Sequence, residues 1–249
     1  LIKVQLFQTM ICALITGMVY FQTAISADTI ISINGILFNL VRNLNFMFQF
    51  QAVPVLTMEL TIMLRENANG IYTSTAYFIG KNLAELPQYI ILPTIYNIIV
   101  YWMSGLYPDI LMFLFATLTC VLLTNVAISI SYAVATLFGR TDVAMTFLPI
   151  FVIPMLAFGG FFITFEAIPS YFTWLSALSY FKLPKSYSYI FILPKVWLGS
   201  IKTAIMIPPF QIDFDGISKW TDVAILSGMI AIIRLVAYLA LLVRTYRNR

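Results

Sequence analysis

An all-α, polytopic membrane protein is the fold class this sequence predicts, and three observations predict it. Apolar residues make up 61% of the 249 and charged residues 10%, with a mean hydropathy of +0.93; a soluble domain carries roughly 25% charged residues. Apolar runs recur along the chain at about 20 residues, the length that crosses a bilayer as a helix. No segment alternates apolar and polar residues over about ten positions, as the strands of a membrane β-barrel do.

Six spans follow, over residues 4–22, 33–56, 84–105, 110–138, 143–163 and 221–243. The first begins almost at Leu1, where no methionine stands, so the expectation is a piece of a longer chain. A signal peptide fits poorly, because the run is longer than a usual h-region and its start carries a single lysine. The turns "LYPD" (106–109) and "GRTD" (139–142) hold the Gly, Pro and Asp that suit chain reversal. Two longer connections remain, 57–83 and 164–220. Within the second, Tyr171, Trp174, Leu175 and Leu178 share one helical face of a run of about 14 residues, a length that suits a re-entrant or interfacial helix.

Orientation follows from lysine and arginine near the spans. With a cytoplasmic N-terminus the inner side holds Lys3, Arg65, Lys81, Arg140, Arg244, Arg247 and Arg249, while the short outer loops 23–32 and 106–109 hold none. Both termini are therefore expected in the cytosol. Tyr101, Trp102 and Tyr107 cluster at the proposed outer end of the third span, where aromatic rings suit the headgroup level.

The absence of histidine removes the commonest metal ligand and the usual general base. Cys12 and Cys120 lie inside apolar runs and read as small hydrophobes. No span carries paired carboxylates or a nucleophile with its base, so an intramembrane enzyme is the least supported class.

The second span is too polar to face lipid alone. Asn39, Asn43, Phe46 and Phe50 recur at helical spacing on one stripe, and Arg42, Asn45 and Gln49 form a second stripe roughly 90° away. A charge inside a span costs at least about 2.5–3.5 kcal/mol and faces a bundle interior or a wet cavity. Either the helix lines a substrate path, or its amides hold helices together. Arg234 in the sixth span carries the same ambiguity, and its place near the inner end favours snorkelling or pairing. The inner stretch 58–87 reads as an amphipathic element on the membrane surface or as a solvated loop with a re-entry helix.

The run "YFIGKNLAELP", preceded by "ELTIMLRENANGIY" and followed by "GLYP", resembles the membrane domain of the ABC transporter G subfamily, as found in insect White and Scarlet half-transporters. The likeness continues in order through "INGILFNL", "FGGFF", "IPSYFTWLSALSYF" and "RLVAYLALLVR". It implies six transmembrane helices plus a short re-entrant outer helix and an inner coupling helix. It also implies that residues 1–249 are the transmembrane domain alone. ATP and Mg would bind in a nucleotide-binding domain outside this chain, and no cofactor is expected in the chain itself. No G-x-x-x-x-G-K-[ST] occurs: Gly80-Lys81 is preceded by Thr75 and followed by Asn82.

Carried over position by position, the resemblance puts Asn43 and Phe46, with Asn39 on the same stripe, in a substrate cavity completed by Pro149, Ile153 and Leu156 of the fifth span. Gly159 and Gly160 would let two copies approach at a symmetry axis, and Phe161 and Phe162 would plug it. Glu59, Arg65 and Glu66 would couple to the nucleotide-binding domain. The implied partners are a second half-transporter (a different half favoured over an identical one), the lipid bilayer and a small-molecule substrate, with no nucleic acid. The White likeness points to pigment precursors such as tryptophan metabolites or purines, in a plasma or granule membrane. A lipid or sterol exporter is the alternative within the family, and a passive channel or membrane scaffold the alternative outside it. The cysteines usual in the family's last outer loop are missing, and no N-x-[ST] sequon occurs.

Overall fold

In a computed structural model, residues 2–22, 30–106, 110–157, 179–180 and 219–247 are described. Among these the chain forms helices and no strand: α1 (Ile2–Val19), α2 (Ile30–Ala68), α3 (Ser74–Met103), α4 (Ile110–Phe138), α5 (Thr141–Leu156) and α6 (Lys219–Arg247). Five of them, α1, α2, α3, α4 and α6, are long and apolar enough to cross a membrane. At 1.5 Å per residue the 16 residues of α5 reach about 24 Å, short of a hydrocarbon core of about 30 Å. The expected fifth span continues to residue 163, and its remainder lies outside the described residues. So does almost all of the expected re-entrant helix.

The centre of the bundle is α4. Every residue from Leu123 to Thr136 is buried, the mark of a helix enclosed on all sides. It packs against α6, α2, α3 and α5, while α1 lies outside against α3 and α2. Its polar side chains bond back to their own helix: Thr124 to the Cys120 carbonyl at 2.8 Å and Ser129 to the Asn125 carbonyl at 2.7 Å. With no water in a hydrocarbon core to receive them, hydroxyls there need such internal partners. Others reach across: Ser131 donates to the Gln49 carbonyl of α2 at 2.8 Å, and Asn97 of α3 donates to Thr117 of α4 at 2.9 Å.

Connections 57–83 and 139–142 meet at one end of the bundle, the charged end. Thr57 of α2 touches Thr141 of α5 at 2.6 Å, and Ser74 of α3 touches Thr245 of α6 at 3.0 Å. Arg244 of α6 donates to the carbonyls of Thr136, Leu137 and Phe138, filling the acceptors that a helix C-terminus leaves open. That contact requires glycine at 139. Its φ is +65°, and a Cβ there would sit 1.8 Å from the Arg244 Cζ.

The inner segment departs from the expectation of a separate surface helix. No breaker stands between Thr57 and Asn67, so α2 continues as one 39-residue helix through Pro54 to Ala68. Asn69 and Gly70 (φ +74°) turn the chain, and Thr73 caps α3 by accepting from the Ala76 N–H at 3.3 Å. The element at the charged end is thus the paired extensions of two spanning helices. At the opposite end Tyr101, Trp102 and Phe113 form a ring cluster, Tyr101 to Phe113 at 5.3 Å and edge-on, which suits the expected aromatic level.

Candidate functional site

The polar stripe of α2 forms as a stripe. Asn39, Asn43, Phe46 and Phe50 are half-buried along one edge, and the two rings stack at 5.5 Å with an interplanar angle of 12°. The amide nitrogens point into the bundle. Asn39 Nδ2 donates to the Tyr20 hydroxyl at 2.8 Å, and Asn43 Nδ2 donates to Tyr96 at 3.0 Å and Thr16 at 3.2 Å. These contacts tie α2 to α1 and α3, so the helix-holding reading of the amides accounts for their donors. The amide oxygens turn the other way, toward Arg42, whose guanidinium donates to Asn39 Oδ1 at 2.7 Å and Asn43 Oδ1 at 3.2 Å.

The second expected stripe divides. Asn45 and Gln49 are fully buried, with Asn45 bonded back to the Val41 carbonyl at 2.7 Å, whereas Arg42 is exposed. A helix buried on three sides leaves that edge open, and Arg42 belongs with Asn39 and Asn43.

On α5 Pro149 and Leu156 are half-buried and Ile153 is 56% exposed. Counting both helices upward from the Thr57–Thr141 contact, residues 148–155 of α5 lie level with residues 43–50 of α2. The expected cavity residues of the two helices therefore share one depth of the bundle. The glycine pair Gly159 and Gly160 and the plug residues Phe161 and Phe162 lie outside the described residues.

A second site lies at the charged end. Lys81 Nζ sits 2.5 Å from Glu59 and 2.6 Å from Glu85, with its side chain only 8% exposed. Tyr77 donates to Glu59 at 3.1 Å, Tyr89 donates to Glu85 at 2.8 Å, and Tyr132 of α4 also donates to Glu85. Nearby, Arg234 of α6 donates to Asn125 at 3.1 Å and Ser129 at 3.2 Å on α4, which settles its pairing role. The network borders an open cavity of about 590 Å³ whose floor is the small-residue edge Ala76, Gly80 and Ala84. Of the residues expected to couple, Glu59 is inside the network. Glu66 accepts from Tyr72 at the turn, and Arg65 is exposed. Burial, then the Glu66 and Glu59 carboxylates, push the Tyr72 hydroxyl up to about 12, so it remains a donor at neutral pH. Sequence reading missed Lys81 and Glu85 as the centre of this site. Their i,i+4 spacing was the available signal, while Tyr89 and Tyr132 needed the packing of α3 on α4 to be found.

Against this geometry, comparison with known proteins is direct. The ABC-2 type transporter family matches over residues 1–186. The ABC transporter ATP-binding protein/permease wht-1 of Caenorhabditis elegans is 57% identical over 263 aligned positions, covering all of this chain and 39% of that protein. Protein white of Ceratitis capitata is 35% identical over 182, covering 73% of this chain and 27% of its own length. The mouse broad substrate specificity ATP-binding cassette transporter ABCG2 is 30% identical over 182, with 73% and 27% covered. The chain thus spans about a quarter to two fifths of the length of these three relatives. It belongs to the ABC-2 type transporter family, among the White-like G-subfamily transporters.

Proposed function

We propose that this chain is the membrane half of an ATP-driven half-transporter that dimerises, with a different half favoured as partner, and moves small hydrophobic or aromatic molecules across a membrane. The observation that carries the reading is the open polar and aromatic edge of α2, at the depth of the α5 cavity positions, in a chain of this family. The amide nitrogens of this edge hold the bundle together, while Arg42 beside them is exposed.

In this reading α5 continues outward to complete a sixth span, followed by a dipping helix that lids the exit, and both termini face the cytosol. Phe161 and Phe162 close the axis between two copies. ATP and Mg bind in a domain outside residues 1–249, and its motion reaches the bundle through Glu59, Arg65 and Glu66 and the adjoining Lys81–Glu85 network. The cargo proposed on the White likeness is a pigment precursor, such as a tryptophan metabolite or a purine.

The test is ATP-dependent uptake of labelled tryptophan metabolites and guanine into inside-out vesicles carrying the full-length protein and a co-expressed partner half. Uptake that needs ATP and falls at least tenfold on Asn43→Ala with Phe46→Ala, with ATP binding retained, supports the reading. Uptake indifferent to ATP points to a passive channel instead.

A further inference from the structure

Arg42 is the single charged residue of the second span, residues 33–56. Its guanidinium reaches back to Asn39, toward the end of α2 where Leu37 packs with Tyr101 of the ring cluster. Among the described residues no carboxylate pairs with it; the three ion pairs there are Lys81–Glu59, Lys81–Glu85 and Arg140–Asp142. A charge within a span is expensive unless it faces water or a counter-charge.

The surroundings hold this cation in place without neutralising it. Two amide oxygens accept from one guanidinium nitrogen at 2.7 and 3.2 Å, and the guanidinium stands 5.6 Å from the centre of the Phe38 ring. The amide orientations follow from charge: turning either group over would aim an N–H at the cation, while the Tyr20 and Tyr96 hydroxyls could bond to either end of the amide. The stem extends toward the N-terminal end of α2, as a snorkelling arginine's does, and there two neutral amide oxygens hold the guanidinium. A guanidinium so held offers paired donors in a plane, the geometry that receives a carboxylate or a sulfonate. One to two turns along the same edge stands the Phe46–Phe50 stack, a flat apolar surface.

We infer that Arg42 makes this face a site for aromatic organic anions: the acidic group is received by the guanidinium and the ring lies against Phe46 and Phe50. Asn39 and Asn43 are positioning residues, acting through the arginine they hold. The inference rests on the reading of this edge as a substrate path and adds the charge of the cargo.

The test uses three probes with one ring and three charges: 1-naphthoate, neutral 1-naphthamide and cationic 1-naphthylmethylamine. Equilibrium binding is measured at pH 7.4 to the full-length protein in nanodiscs. The wild type is expected to bind naphthoate at least about tenfold more tightly than the amide, with the amine weakest. Arg42→Gln brings naphthoate to the level of the amide and leaves the amide within about twofold, while Arg42→Lys retains part of the preference. Asn39→Asp is the control for folding. It keeps Arg42, places a carboxylate where the amide oxygen already sits, lets the Tyr20 hydroxyl donate to it, and abolishes the preference. No charge preference in the wild type, or a preference that survives both Arg42→Gln and Asn39→Asp, overturns the inference and assigns Arg42 to headgroup contact. Uptake measured in parallel separates the two ideas. Arg42-dependent binding without ATP-driven uptake defeats the transporter reading alone, and uptake with Arg42-independent binding defeats this one alone.

Discussion

Lys81 shows how single residues carry this structure. Its ammonium lies between two carboxylates from different helices, and it is nearly buried. Removing one member of such a cluster leaves like charges facing each other with no counter-ion, which is worse than never having had the cluster. Glu59 is 43% exposed, and solvent screening discounts its share. Lys81→Met should therefore destabilise the fold by about 2–3 kcal/mol, chiefly through Glu85. Adding Glu85→Gln, which removes the stranded charge, should recover part of the loss. Thermal unfolding of the detergent-purified protein followed by intrinsic fluorescence reads both. A double variant less stable than Lys81→Met alone would mean that Glu85 owes its place to Tyr89 and Tyr132 rather than to the lysine. The residue scale is also where sequence reading was weakest. Asn39, Asn43, Phe46 and Arg42 were legible because helical spacing is local information. The partners that decide their roles, Tyr20, Tyr96 and Thr16, sit on other helices, and no spacing rule links position 43 to position 96.

Helices and turns were more legible, since a run of about 20 apolar residues has few alternatives in a membrane. Residues 110–138 stand as read from the sequence, and "GRTD" is the turn it resembles. The expected boundary at Leu56 falls too early, because polar residues need not end a helix. They end only the apolar part, and α2 continues until Asn69 and Gly70 supply a turn. Two glycines with left-handed φ now differ in a testable way. Gly139→Ala meets both backbone strain and the Arg244 guanidinium, while Gly70→Ala meets strain with nothing within 4 Å. Strain alone is worth roughly 1–2 kcal/mol. Gly70→Ala should stay near that figure, and Gly139→Ala should exceed it because the α4 cap is lost as well. Melting curves of the two variants decide the matter; equal losses would mean that Arg244 simply moves aside.

At the level of the whole molecule, α4 is the enclosed post; α2, α3, α5 and α6 pack around it, and α1 lies outside against α3 and α2. That arrangement separates an enclosed central helix from the half-buried edge to which the proposed function assigns the cargo. The charged end gathers the extensions of α2 and α3 into one network that reaches Tyr132 on the central helix.

The central claim is that the Asn39–Phe50 edge of α2 faces a water-filled path. The direct measurement places single cysteines at positions 39, 43, 46 and 50, with 48 as a buried reference and 18 on exposed α1, in a cysteine-depleted full-length protein in membranes. Labelling by a charged, water-soluble methanethiosulfonate is compared with labelling by a lipid-soluble maleimide. The account predicts that the four edge positions react with the charged reagent at least about tenfold faster than 48 and 18, and that position 18 reacts mainly with the lipid-soluble one. Edge positions that match position 18, reacting only from lipid, would contradict it.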